Sequence, residues 1–239
     1  MDFLTSPEFW VALGQIVIID ILLGGDNAVV IALACRKLPP AQRTKGIIWG
    51  TAGAIVLRVI LIAFAMTLLN VPFLKFVGAL LLVWIGVKLL APDEDGHGDV
   101  AGSDKLFAAV KTIIVADLVM SVDNVIAIAG AAQNAGEHSM LLVVLGLLIS
   151  IPIIVWGSQL VIKLMARFPI IITAGAMLLG WIAGGMLVSD PAFASPDQWT
   201  WMLKLEQTNA IHYGAAVAGA LLVLTVGKRL AARNALQQA

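Results

Sequence analysis

Ile19-Asp20-Ile21-Leu22-Leu23-Gly24-Gly25-Asp26-Asn27-Ala28-Val29 lies inside a mostly apolar run of roughly residues 9–34. A bilayer-spanning helix needs about 20 apolar residues. The stretch is therefore a membrane helix with two carboxylates, an amide and a glycine pair in its interior. Six further apolar runs follow, at roughly 46–69, 73–91, 106–132, 140–162, 170–189 and 210–227. They are continuous, whereas barrel strands are segments of about 10 residues with alternating character. The fold class is all-α: a polytopic membrane protein of about seven transmembrane helices, one transmembrane domain over residues 1–239.

Composition agrees. The chain is 60% hydrophobic and 13% charged, with a mean hydropathy of +0.97. Soluble domains are nearer 45–50% apolar and about 25% charged. High hydrophobicity with zero net charge excludes disorder. A lone cysteine, Cys35, excludes a disulfide scaffold. Fifteen basic against fifteen acidic residues leave no footprint for nucleic acid. The acidic start, Met1 to Trp10, has no basic region of a cleaved signal peptide. Thr5-Ser6-Pro7-Glu8 reads as a helix start, with a capping hydroxyl and Pro in the first turn.

Lys and Arg set the orientation. With the N-terminus outside, the inner set is Arg36, Lys37, Arg43, Lys45, Lys88, Lys105, Lys111, Lys163, Arg167, Lys228, Arg229 and Arg233, against Lys75 and Lys204 outside. Such asymmetry favours an odd number of spans, with the C-terminus inside. Trp10, Trp199 and Trp201 then fall near the outer interface and Trp49 near the inner one, where indoles prefer to sit.

The opening motif recurs at an offset of 97: Asp20 as Asp117, Asp26 as Asp123, Asn27 as Asn124. The same offset matches Gly78-Ala79 with Gly175-Ala176 and Trp84-Ile85 with Trp181-Ile182. The spacing predicts a duplication, with repeat 1 at about 9–91, repeat 2 at about 106–189 and an extra helix at about 210–227. Three spans per copy make the copies inverted, a transporter architecture. The extra helix caps or dimerises the unit.

Each copy places two Asp and one Asn in an apolar helix. One ionised Asp at a helix centre costs roughly 2.5–3.5 kcal/mol, so four unpaired would oppose insertion by about 10–14 kcal/mol. They need protons or a cation. Asp20 and Asn27, seven apart, share a helix face. Asp26 is off that face, and unwinding at Gly24-Gly25 would turn it and the freed carbonyls inward. The second copy has Ser121-Val122 there, so unwinding is less expected; Ser121 adds a hydroxyl one turn after Asp117. The candidate metal ligands are Asp20, Asp26, Asn27, Asp117, Asp123 and Asn124. An all-oxygen set suits hard divalent ions such as Mg, Ca and Mn. His97, His138 and His212 lie in loops or at an edge, and Cys35 past the inner end of the first span, against zinc or copper. Interhelical glue is the bland alternative for any one of these polar residues.

Arg58 lies in the second span. It neutralises one carboxylate, stands in for the ion when the site is empty, or makes a structural pair with an Asp or a helix-end carbonyl. Four Asp and one Arg sum to −3, and to −1 with a divalent ion, so one proton would restore neutrality; proton-coupled exchange follows. Pro152 predicts a static kink in the fifth span. Gly184-Gly185 permits close helix packing. The acidic loop 92–104 superficially looks like a calcium loop. His97 and the absence of a Glu at the twelfth position make it a solvated linker.

Gly24-Gly25-Asp26-Asn27 and Ser121-Val122-Asp123-Asn124, with Asp20 and Asp117 upstream, resemble the signature of the TerC family of integral membrane proteins. The resemblance covers nearly the whole chain. It implies export of divalent metal, chiefly Mn2+, across the bacterial inner membrane, and kinship with lysine exporters and cation transporters. Tellurium resistance is the family's name, not this chain's implied substrate. The expected partners are the metal ion as substrate, the bilayer and a second copy of the chain. No prosthetic group and no enzymatic activity are expected. An amino-acid exporter is the rival reading, with Arg58 as the sole candidate for binding a carboxylate. An intramembrane aspartyl protease is more remote, since Leu23 breaks its Gly-x-Gly-Asp pattern and the two Asn would have no role. A retinal protein needs a Lys within its last span, and 210–227 has none.

Overall fold

The computed structural model describes residues 7–64, 71–91, 102–133, 139–194 and 208–237. The secondary structure described is helical: α1 (Pro7–Leu23), α2 (Gly25–Cys35), α3 (Pro40–Ala63), α4 (Leu74–Leu90), α5 (Gly102–Gln133), α6 (Ser139–Arg167), α7 (Ile170–Val188), α8 (Pro191–Ala194) and α9 (Asn209–Gln237). The all-α expectation holds. Among the described residues, four helices are long and apolar enough to cross a membrane: α3, α6, α7 and α9. The pair α1 and α2 makes a fifth if its two parts form one broken span. α4 and α5 occupy the positions of the third and fourth expected runs, and α4 has only 17 residues.

Several boundaries differ from expectation. α3 begins at Pro40, six residues before the apolar run, because Pro suits the first turn of a helix. α9 continues to Gln237, ten residues past the apolar run, through Lys, Arg, Ala and Gln residues that are good helix formers. α8 was not expected. α6 runs as one helix through Pro152.

The chain forms two compact units. Residues 1–68 with 106–163 make one, and residues 69–105 with 164–239 the other. The first thus holds the first two spans of each expected copy, and the second the third span of each with the extra helix. The first unit has a core of Phe9, Leu13 and Ile16 from α1, Ile62 from α3, Ile128 from α5, and Leu142, Val143 and Leu147 from α6. In the second unit α9 packs on both α4 and α7. A Cβ at Gly180 would meet the Gly219 backbone, and one at Gly184 would meet Ala215, so only small residues let these helices approach so closely. The close packing expected of Gly184-Gly185 is present; Gly185 backs onto the His212 ring.

Apolar side chains are also abundant on the outside. Leu22, Trp49, Phe107, Trp156 and Ile170 are among many large apolar residues that lie exposed. That is the surface of a protein solvated by hydrocarbon, since the polar groups have been turned inward.

Candidate cation site

The candidate side chains that the structure describes lie in the first unit. α1 ends at Leu23 because the helix breaks at Gly24, and α2 departs at 49° to it. The break needs glycine at that position, since a Cβ there would collide with the Asp20 carbonyl oxygen. Gly25 has open space around it. The expected unwinding is therefore real in this copy. The matching stretch of α5 stays helical through Ser121 and Val122.

Arg58 of α3 is 3% exposed and binds two of the predicted carboxylates. One Nη donates to Asp20 Oδ1 and the other to Asp117 Oδ1. Its Nε donates to Ser121 Oγ at 3.0 Å, and Ser121 Oγ in turn donates to Asp117 Oδ2 at 3.1 Å. Arg58, Asp20, Asp117 and Ser121 are all buried. Two carboxylates around one guanidinium form a forked, charge-assisted knot with one negative charge in excess when both are ionised. Arg58 therefore pairs with Asp side chains and not with a helix-end carbonyl.

The amides flank this knot differently. Asn27 is 3% exposed, and neither its Oδ1 nor its Nδ2 has a hydrogen-bond partner. A buried amide without partners is expensive, and such groups ask for an explanation. Asn124 Nδ2 donates to the Leu23 carbonyl at 3.4 Å, one of those freed by the helix break. Asp26 is half-buried at the start of α2, where its Oδ1 accepts from the Asn27 backbone N–H at 2.8 Å. An acidic residue in the first turn suits the helix dipole.

The structure thus joins Asp20 and Asp117 through Arg58, and sets Asp26 and Asn27 at the break with Asn124 reaching across to it. The side chain of Asp123 lies outside the described residues, as do His97, His138, Trp199, Trp201 and the acidic stretch 92–101. Among the described residues, no group of three or more His, Cys, Asp or Glu side chains forms a ready-made metal cage.

Four buried polar residues were not singled out in the sequence: Thr51, Ser150, Ser158 and Asp190. Thr51, seven residues before Arg58 on the buried face of α3, has an unpartnered hydroxyl. Asp190, in the second unit, is fully buried. Its Oδ1 accepts from Phe73 N at 2.9 Å and Ala192 N at 2.8 Å, and its Oδ2 from Phe76 N at 3.0 Å. It therefore caps α4 and α8 together and holds Phe73 at a left-handed φ of 65°. An Asp directly before Pro191 is a readable cap signal. Its second helix, more than a hundred residues away, is not.

A helical membrane protein with a buried, charge-paired polar centre is the class these features define. The Integral membrane protein TerC family matches residues 5–235. The chain belongs to the TerC family. It is 46% identical over 183 residues to the uncharacterized membrane protein YjbE of Bacillus subtilis, covering 77% of this chain and 82% of that protein. It is 28% identical over 224 residues to YceF of the same organism, covering 89% and 85%. The UPF0053 inner membrane protein YgdQ of Escherichia coli is 31% identical over 149 residues, covering 55% and 63%. No solved structure matches the chain. The protein is an integral membrane protein.

Proposed function

We propose that this protein exports a hard divalent cation, chiefly Mn2+, across the bacterial inner membrane by alternating access. One observation carries the reading: both copies of the duplicated motif deliver a buried carboxylate, Asp20 and Asp117, to the same point. Carboxylate, amide and main-chain oxygens suit Mn2+ better than softer metals. Asp20, Asp26, Asp117 and Asp123 bind the ion and in part exchange protons. Asn27 and Asn124 supply neutral oxygens. Seven spans, with the N-terminus outside and the C-terminus inside, complete the proposal.

Arg58 is already committed to two carboxylates, which argues against its being the carboxylate receptor of an amino-acid exporter. A guanidinium between Asp20 and Asp117 also fits ion handling better than a proton shared by a catalytic pair.

The test is Mn2+ movement in proteoliposomes holding the purified protein. Uptake into inside-out vesicles is expected for the wild type and not for Asp20→Ala or Asp117→Ala. Transport undiminished with Asp20, Asp26, Asp117 and Asp123 all changed to Ala would refute the reading. Lysine offered as alternative cargo separates the amino-acid rival, and an imposed pH gradient that leaves the rate unchanged removes the proton coupling.

A further inference from the structure

The knot that brings Asp20 and Asp117 together already contains a cation. Arg58 uses Nε and both Nη groups on Ser121, Asp20 and Asp117. A guanidinium stays charged and offers no acceptor. A divalent ion cannot join it on the same two oxygens, because the two cations would repel strongly in a medium of low dielectric constant.

Arg58 also stands outside the duplication. The offset that matches Asp20 with Asp117 carries Arg58 to Val155, and carries Ser121 back to Gly24. Both copies supply the anion; one copy alone supplies the guanidinium, and the other the hydroxyl that holds it. The polar groups that Arg58 leaves unused lie close by in sequence. Asn27 is buried with both amide atoms unpartnered, and it follows Asp20 by two helical turns across the break at Gly24. An arginine placed only to neutralise the carboxylates would leave that buried amide without a purpose.

We infer that Arg58 is a tethered substitute for the transported ion, holding Asp20 and Asp117 while no metal is bound and leaving them when metal loads. The inference rests on the cation-export reading and adds regulation to its site. It makes guanidinium and metal competitors for one pair of carboxylates. It also leaves the two emptied carboxylates partly compensated for the carrier's return across the membrane.

The experiment compares wild type, Arg58→Met and Arg58→Lys, full-length in nanodiscs, by Mn2+ titration calorimetry and by melting temperature against Mn2+ concentration. Removing a competitor releases its coupling to the ligand, so Arg58→Met is expected to bind Mn2+ about tenfold or more tighter than wild type. Its melting temperature should rise more steeply with Mn2+. In proteoliposomes it should retain Mn2+–Mn2+ exchange and lose net efflux. A folded Arg58→Met protein that binds Mn2+ no tighter than wild type overturns the inference and leaves the export reading standing. If that variant does not fold, Arg58→Lys decides by the same comparison: it keeps the charge, lacks the fork, and is expected to bind more tightly than wild type. Absence of Mn2+ binding to the wild type and to both variants would overturn inference and export reading alike.

Discussion

At the scale of single residues, burial and charge set an order of tolerance. Arg58→Met leaves Asp20 and Asp117 without a counter-ion, and stranding buried charge costs about 3–5 kcal/mol. Asp117→Asn leaves a one-to-one pair of Arg58 with Asp20 and keeps the shape of the lost group. Its expected cost is about 1–2 kcal/mol, that of weakened hydrogen bonds. Thermal unfolding in detergent without metal should rank the two in that order, and the reverse ranking would mean that the second carboxylate matters more than the cation. Asp190 offers a separate case. Asp190→Ala strands three backbone N–H groups and releases the left-handed turn at Phe73. We expect a loss of about 3 kcal/mol, from hydrogen bonds to a charged acceptor, with Mn2+ binding unchanged. Asp20 was legible because a carboxylate in an apolar run demands a partner. Its partner could be guessed as Arg58 and no further, since helical periodicity does not say which faces meet.

Among the elements, the break between α1 and α2 separates two residues that look alike in the sequence. A Cβ at Gly24 meets the Asp20 carbonyl, and one at Gly25 meets nothing. Gly24→Ala should therefore cost about 1–3 kcal/mol, the range for overpacking, and should abolish Mn2+ transport by closing the bend. Gly25→Ala should stay within about 0.5 kcal/mol of wild type. Melting curves and transport rates on the pair check both statements. Equal damage from the two substitutions would show that the motif needs flexibility and not close approach. The glycine contacts between α7 and α9 carry the same lesson, because Gly180 and Gly219 each occupy the place where the other's Cβ would stand. The extra helix was expected to cap or to dimerise. Its packing on α4 and α7 gives it a place within its own unit.

Over the whole molecule, the proposed orientation is open to direct labelling. The chain has a single cysteine, and Cys35 is buried, so a Cys35→Ala background reports only introduced thiols. Thr208→Cys should react with an impermeant maleimide in spheroplasts, and Arg233→Cys only after permeabilisation. The opposite pattern would invert the orientation read from Lys and Arg. The two compact units each combine spans from both expected repeats. The spans thus group by their place within each expected copy, first and second spans together and third spans together.

The sequence by itself determined the all-α class, the membrane setting and which polar residues lie within the apolar runs. Apolar runs of bilayer length leave helices as the economical way to satisfy the backbone, and charges inside them must have a purpose. Sequence also placed the weak point at Gly24-Gly25. Tertiary structure decided the rest. It chose Arg58 as the joint partner of Asp20 and Asp117, sent Asn124 to the freed Leu23 carbonyl, left the Asn27 amide unpartnered and gave α4 its cap from Asp190. The physical reason is that burial and periodicity are properties of one helix, whereas hydrogen-bond partners in a water-free interior are fixed by which helices touch and at what height.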